Sequence, residues 1–408
     1  MKKNLLEGVK VIELATFIAA ATAGRFMADL GADVIKVEAA NGDPLRYTAA
    51  SEGRPNIPNE NTTWDLENAN KRGISLNTKD PAGKEAFLKL VKSADILITN
   101  WRPQALERSG LDYENLKKVN PALVYGMCSG YGEKGPDKDL PGFDFTAFFA
   151  RGGYLETLRP KGSQPMNVIP GLGDHNVGMA LCAGLLAAFH SAQKTGQGEL
   201  VTTSLFQTAL YNISIAAQAS QYTETFRRYP ISMREAANPC NTCWKTKDDR
   251  YIQTVFPGYN VYSQRFLTAI GRPDLAQDED YWKIENLVEK NLGTSLYDMV
   301  MEAMSKKTAA EWKVILTEAD IPFSLAQSLE ELLVDEQAWA NECFYEMTYE
   351  NGNKRTLVRP PVNFANMGTP EYKRGPRIGE HGAEVLKDIG YSDAEIKQML
   401  ENKAMFIS

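Results

Sequence analysis

Val9-Lys10-Val11-Ile12-Glu13-Leu14, followed by Ala19–Leu30 and then Asp33-Val34-Ile35-Lys36-Val37, is the stretch from which the fold is read. The two flanking segments are short, apolar and rich in β-branched residues, as buried strands are. The middle segment has helical length, with small residues along one face. Glu38 closes the second strand. A strand–helix–strand unit with an acidic end invites a dinucleotide-binding reading. The loop excludes it, because Ala15-Thr16-Phe17-Ile18-Ala19-Ala20-Ala21 has no G-x-G-x-x-G and no glycine to let a backbone approach a pyrophosphate.

Downstream, Ser51–Asp65 is polar and punctuated by prolines and reads as a loop. A strand ends at Leu76. Asp80-Pro81 starts a helix, with Asp as cap and Pro in the first turn, running to about Val91. A strand Asp95–Thr99, a helix to Ser109, a second near Tyr113–Lys118 and a strand Ala122–Cys128 follow, then a strand Leu200–Ser204 and one helix over Leu205–Tyr222. Strands alternating with helices predict the α/β class, with a doubly wound, Rossmann-like parallel sheet covered on both faces. Ligands then sit beyond the carboxyl ends of the strands, at Asn100-Trp101-Arg102-Pro103 and Ser129–Pro136. Residues 223–239 are charged and proline-bounded, a linker into a smaller α/β domain over 240–335. That domain opens with a hairpin, Cys243–Phe256, turning at Lys247-Asp248-Asp249-Arg250.

The net charge of −7 over 408 residues, without a long Lys/Arg run, excludes a nucleic-acid surface. No stretch is expected to cross a membrane, and Met1–Gly8 lacks the apolar core and cleavage site of a signal peptide, so a cytoplasmic protein is expected. Five cysteines are too few for a disulfide framework in a chain this size. Cys240 and Cys243 form a lone C-x-x-C with no second pair and no nearby His, and no metal site is expected.

One further segment carries chemistry: Gly171-Leu172-Gly173-Asp174-His175-Asn176-Val177-Gly178-Met179, apolar or small from Val177 to Phe189. It predicts a buried helix, too short for a bilayer, entered from a glycine-rich loop. Asp174, where loop becomes helix, is either an ordinary N-cap or a carboxylate poised as a nucleophile; on these residues alone the cap is favoured.

That segment, with Lys194-Thr195-Gly196-Gln197-Gly198 after it, resembles the class III CoA-transferases, the relatives of formyl-CoA transferase and carnitine CoA-transferase. The likeness extends through Leu30–Glu38, Gly42-Asp43-Pro44, Arg46 and the closing Gly379-Glu380-His381 with Glu384-Val385-Leu386, nearly the whole chain. The resemblance makes Asp174 the residue that carries first the acyl group and then CoA, with Gly173 and His175 beside it and Asp144 of Pro141-Gly142-Phe143-Asp144 as a second carboxylate. It assigns CoA binding to Lys71, Arg72, Leu76, Lys79, Asn100, Trp101 and Arg108, with Arg102 in the same cluster. Where many members have a Gln after the first strand and Gln-Ala later, this chain has Ile18 and Phe148-Phe149, which implies a more apolar acyl pocket. Phe256-Pro257-Gly258-Tyr259 holds the place of a multi-glycine lid with a single Gly. The resemblance also implies that residues 340–408 return to the large domain of residues 1–222, that two chains interlock as a homodimer, and that coenzyme A enters as a substrate thioester with no metal.

The subgroup most alike handles (R)-2-hydroxyacyl and 2-enoyl acids. The implied partners are an acyl-CoA donor and a carboxylic acid acceptor, 2-hydroxyisocaproate ahead of phenyllactate, with a 2-hydroxyacyl-CoA dehydratase in the same pathway. Two alternatives stand beside it: a 2-methylacyl-CoA racemase, which needs a His where Phe143 stands, and a non-catalytic CoA-binding activator subunit, against which an intact Asp174 argues.

Overall fold

Strand β1 (Lys10–Leu14) pairs in parallel with β2 (Asp33–Glu38), Val11 opposite Val34 and Ile12 opposite Ile35, with helix α1 (Ala19–Asp29) as the crossover. The computed structural model describes residues 4–222, 224, 229–236 and 238–407; residues 223, 225–228 and 237 of the expected linker lie outside the described residues. The same alternation continues through α2 (Thr62–Asn68), β3 (Arg72–Leu76), α3 (Pro81–Ser93), β4 (Ile96–Thr99), α4 (Pro103–Ser109), α5 (Tyr113–Val119) and β5 (Val124–Ser129). It then passes through a wide π-helical turn over Asp144–Ala150 to α6 (Leu172–Thr195), β6 (Leu200–Ser204), α7 (Leu205–Asn212) and α8 (Ser214–Ala219). The sheet order is β3-β2-β1-β4-β5-β6, all parallel, with a seventh, antiparallel strand Met405–Phe406 outside β3. The order reverses between β1 and β4, and beyond their carboxyl ends a doubly wound sheet opens its ligand crevice.

One face of the sheet is covered by Phe87, Leu90 and Val91 of α3, Leu116 of α5, and Val385, Leu386 and Met399 of the last two helices, Gly382–Asp388 and Asp393–Glu401. On the other face α1 packs against α6. Gly178 makes the crossing close enough: a Cβ there would lie 2.5 Å from both the Ala19 carbonyl oxygen and Thr22 Cβ.

Several local readings change. The loop expected over Ser51–Asp65 already turns helical at Thr62, because Asn61 Oδ1 caps the Trp64 N–H at 3.0 Å and Trp64 is buried. The single helix expected over Leu205–Tyr222 breaks at Ile213 and ends at Ala219. Beyond Asp335, where a linker leads back to Thr356–Phe364 in the sequence reading, the chain forms a hairpin, Phe344–Thr348 with Lys354–Val358. The helix after the glycine-rich loop is 24 residues, long and apolar enough by composition to cross a bilayer, contrary to the sequence reading. It is not buried all round either, since Ala180, Ala183 and Ala187 face outward.

The chain divides into two compact units. The first comprises Met1–Tyr154, Asn167–Gln218 and Glu336–Ser408, and holds the sheet and the C-terminal segment. Its return is pinned to α2 and β3: Gly375 N–H donates to Asp65 Oδ1 (2.7 Å), Trp64 Nε1–H to the Pro376 carbonyl (3.1 Å), and the Gly73 N–H to His381 Nδ1 (3.1 Å). His381 is therefore a structural clamp. The second unit, Leu155–Met166 with Ala219–Asp335, has a three-stranded antiparallel sheet (Cys243–Lys245, Tyr251–Thr254, Phe323–Leu325) over a core containing Trp244, Phe266 and Trp312. Phe256 and Tyr259 are buried in that core.

Candidate active site

The start of α6 is organised by Asp144, not by Asp174. Gly171 is the N-cap residue at φ +85°, a left-handed conformation that glycine adopts without strain. The N–H groups of Gly171 and Gly173 donate to Asp144 Oδ2 (2.8 Å) and Oδ1 (3.0 Å). The amides that Asp174 was expected to cap are thus already taken, and Asp174 is the third residue of the helix, with no side-chain capping bond. Among the described residues none donates a hydrogen bond to its carboxyl group. Burial is the main force on it, pushing it up to about 7; the Asp144 charge adds to this and His175 opposes it. Such a carboxyl is more basic than an ordinary aspartate, yet ionised in mildly alkaline solution, and it stands in the first turn of a helix whose dipole favours the anion. A capped aspartate would be spent; this one makes no capping bond.

Gly173 admits no side chain, because a Cβ would sit 2.3 Å from Asp144 Oδ1 and 2.3 Å from Phe148 Cγ. Gly173→Ala is expected to push Asp144 off its two amides, lose about 1–3 kcal/mol of stability and reduce turnover at least tenfold, measured by denaturant unfolding and steady-state rates.

Beside Asp174, His175 Nε2 lies 2.8 Å from Glu67 Oε1, and Glu67 Oε2 accepts the Thr22 hydroxyl at 2.9 Å. Burial lowers the imidazole's proton affinity, but Glu67 and the two aspartates more than offset it, so His175 holds its proton more tightly than usual. Glu67 and Thr22 were not foreseen. Glu67 sits in a polar stretch, and only the packing of α2 against α1 brings it to the helix start.

Beneath this lies a buried charge cluster. Lys36 Nζ contacts Glu13 Oε1 (2.9 Å) and Asp43 Oδ2 (3.0 Å), and Lys71 Nζ contacts Glu13 Oε2 (2.6 Å); all four side chains are excluded from solvent. Lys36 also donates to the Ala15 carbonyl (3.1 Å), and Asp43 Oδ1 accepts the Phe17 N–H (3.0 Å). From the β4 side, the Asn100 side chain accepts the Thr16 N–H (3.0 Å) and donates to the Thr16 carbonyl (2.7 Å). Ion pairs and an amide therefore shape the β1–α1 loop that has no glycines, and they hold Phe17 at φ +59°, a conformation costly for a bulky residue unless its surroundings enforce it. Glu38 is likewise consumed, by the Asp43 N–H and by Arg46 through two contacts of 2.8 and 2.6 Å, so it has no free edge for a ribose.

Apart from Asn100, whose side chain is taken by the Thr16 backbone, the expected CoA-binding residues separate into two groups. Lys71 is locked on Glu13 and the Ala21 carbonyl, Arg72 is paired with Asp33, Glu384 and Asp388, Leu76 belongs to the core and Trp101 packs against it. Reaching a phosphate would cost Lys71 and Arg72 their pairs, and the side chains of Leu76 and Trp101 are committed to packing. Lys79 and Arg102, just past the carboxyl ends of β3 and β4, and Arg108, in the last turn of α4, are exposed and form no ion pair among the described residues. Of the expected acyl-pocket residues, Phe148 and Phe149 are buried at 0 % and 3 % exposure, Phe148 being wedged under Gly173. They support the helix start. Ile18 is half-buried, its Cδ1 close to Gly171. Phe143 is 58 % exposed, edge-on to Phe17, and carries no proton to move. Among the described residues no group of three His, Cys, Asp or Glu side chains is arranged to hold a metal ion. Cys240 is buried and Cys243 exposed, both as free thiols.

Residues 6–382 match the sequence model of CoA-transferase family III. The chain is 53 % identical over 404 residues to the cinnamoyl-CoA:phenyllactate CoA-transferase of Clostridium sporogenes, covering 99 % of this chain and 98 % of that one. It is 44 % identical over 401 residues to the (R)-2-hydroxy-4-methylpentanoate CoA-transferase of Clostridioides difficile, covering 98 % and 99 %. Among solved structures, a CAIB/BAIF family protein from Brucella suis shares the fold, with a TM-score of 0.79 at 24 % identity over 94 % of this chain and 99 % of that chain.

Proposed function

The chain belongs to CoA-transferase family III, and on that footing we propose that it moves CoA between a 2-enoyl- or 2-hydroxyacyl-CoA donor and an (R)-2-hydroxy acid through covalent intermediates on Asp174. The observation that carries this reading is the uncapped, half-buried Asp174 carboxyl at the start of α6, with its pKa raised towards neutrality. Asp174 attacks the donor thioester carbonyl, the C–S bond breaks, and an acyl–aspartyl anhydride and a thiolate result. The thiolate attacks the aspartyl carbonyl and releases the donor acid, leaving an aspartyl–CoA thioester. The acceptor carboxylate displaces the thiolate to form a second anhydride, and the thiolate then attacks the acceptor carbonyl and frees Asp174. Each step exchanges activated acyl groups of similar energy, so no ATP is consumed. The anhydride survives only where water is kept out.

We place an aromatic acid first and 2-hydroxyisocaproate second, the reverse of the order expected from the sequence; the higher identity to the phenyllactate enzyme supports this order. The product, a 2-hydroxyacyl-CoA, suits a dehydration that regenerates a 2-enoyl-CoA. For the CoA phosphates the available cations are Lys79, Arg102 and Arg108. Arg108→Ala is expected to raise KM for the CoA thioester about 5–20-fold, the size of one charged contact, with kcat changing much less. For the homodimer, Leu172, Leu210, Tyr211 and Ile215 are exposed apolar side chains that a second copy would cover.

The test is mass spectrometry of protein incubated with cinnamoyl-CoA and quenched with hydroxylamine. Modification confined to the peptide carrying Asp174, appearing faster as pH rises through about 7, is the expected result. Transfer with Asp174 unmodified would overturn the assignment.

A further inference from the structure

On the reading of Asp174 as acyl carrier, we propose that His175 recognises the 2-hydroxyl group of the substrate through Nδ1, with Glu67 and Thr22 as positioning residues.

The geometry begins with a relay of fixed partners. The Thr22 hydroxyl contacts the Ile18 carbonyl (3.1 Å) and Glu67 Oε2 (2.9 Å), and Glu67 Oε1 contacts His175 Nε2 (2.8 Å). Glu67 is 1 % exposed, so its carboxylate cannot leave the imidazole without losing its partners inside the protein. A carboxylate accepts only, hence Nε2 carries the hydrogen. The ring is thereby fixed in plane, and Nδ1 has no partner among the described residues.

The unpartnered edge of the ring lies beside Gly171 and Ile18. Measured from where a Cβ on Gly171 would stand, His175 Cε1 is 3.3 Å away, Nδ1 3.7 Å and Ile18 Cδ1 3.5 Å. A polar nitrogen and an apolar methyl thus lie side by side against the buried backbone of Gly171, three residues before Asp174. The His175 side chain remains 38 % exposed and can be reached from outside. A 2-hydroxy acid presents a matching pair: a hydroxyl on the carbon next to the reacting carboxyl group, and an apolar substituent on that same carbon.

The hydroxyl is favoured over a second carboxylate as the partner of Nδ1. Neutral Nδ1 accepts and protonated Nδ1 donates, and a hydroxyl meets either state, whereas a carboxylate meets only the second. A site that hydrogen-bonds a substrate hydroxyl also leaves its own polar atom unpaired when the analogue lacks one, which is a strong source of discrimination.

The experiment compares kcat/KM for (R)-phenyllactate and for 3-phenylpropionate, its analogue without the hydroxyl, with cinnamoyl-CoA as donor. In His175→Phe the hydroxy-acid preference is expected to fall about 10–100-fold, mainly through a higher KM for phenyllactate. His175→Asn, which keeps a polar group near the Nδ1 position, should restore part of it. Glu67→Gln, which leaves the ring but loosens it, should give a smaller loss in the same direction. Equal losses for both acids in folded variants would overturn the proposal. Adduct formation from cinnamoyl-CoA separates the two readings. A wild-type adduct on Asp174 with an unmoved preference in the variants overturns the role of His175 alone. No wild-type adduct overturns the acyl-carrier reading and this role with it.

Discussion

Asp174→Ala and Asp174→Asn are each expected to lose transfer activity by roughly 10³-fold or more, the scale on which removal of a nucleophile is felt, while making the protein more stable at pH 8. The second half follows from the titration. The folded carboxyl holds its proton up to about 7, because burial opposes its charge and Asp144 adds repulsion. An unfolded aspartate releases its proton near 4. Between these values the folded state binds more protons, so stability falls as pH rises from about 4 to about 7 and stays lowered above. The full shift would be worth about 4 kcal/mol; with the group still partly solvated, about 1–3 kcal/mol is a fair expectation. Neither an alanine nor an asparagine side chain at this position has a proton to release. Thermal unfolding of both variants at pH 4 and pH 8 checks it: a gain at pH 8 that vanishes at pH 4 is expected, and melting temperatures equal to those of the wild type at both would refute the strained carboxylate.

Lys36→Met is expected to destabilise the protein by about 3–5 kcal/mol, since it strands Asp43 inside the core as an uncompensated charge and takes one of Glu13's two cations. Lys36 is wholly buried between them at 2.9 and 3.0 Å. Glu13 keeps Lys71, but among the described residues Asp43 keeps only the amides of Phe17 and Leu45. The loss should reach the active site, because the Lys36–Ala15 contact and the Asp43–Phe17 bond hold the β1–α1 loop carrying Ile18. Adding Asp43→Asn restores the charge balance, leaving the Glu13–Lys71 pair, and keeps an oxygen to accept the Phe17 N–H. The double variant should regain a substantial part of the loss. Denaturant midpoints of the wild type, both single variants and the double variant measure the coupling, and simple additivity would show that the cluster is not a unit.

The strand–helix alternation from Val9 to Cys128 was legible because it depends on local periodicity, and each apolar run had the length its element needs. The Asp80-Pro81 helix start was equally plain, Asp80 Oδ1 accepting the Ala82 N–H at 2.9 Å. Elements made by distant pairing escaped notice. Met405–Phe406 is a strand only because β3 offers it an edge, and Thr62–Asn68 is too short to show a period. The same division runs through the site. Motif position alone singled out Asp174, Asp144, Gly173 and His175 as neighbours in the chain or the family pattern. Which carboxylate caps the helix and which is free was invisible, since an Asp in the first turn looks the same in either role. The answer lies in Asp144, 27 residues before Gly171, folding back onto its amide.

Lys71 is the clearest case of a residue whose type misleads. A lysine in a loop-bounded motif looks like a phosphate ligand, but its surroundings are set by Glu13 and Lys36, which arrive from two other strands. Whatever depends on neighbours along the chain could be read without coordinates: the order of elements, the glycines that open the helix start, and the family. Charge state and partnership came from the folded arrangement alone, because burial and ion pairing depend on which side chains meet across the sheet, and those are separated by tens of residues.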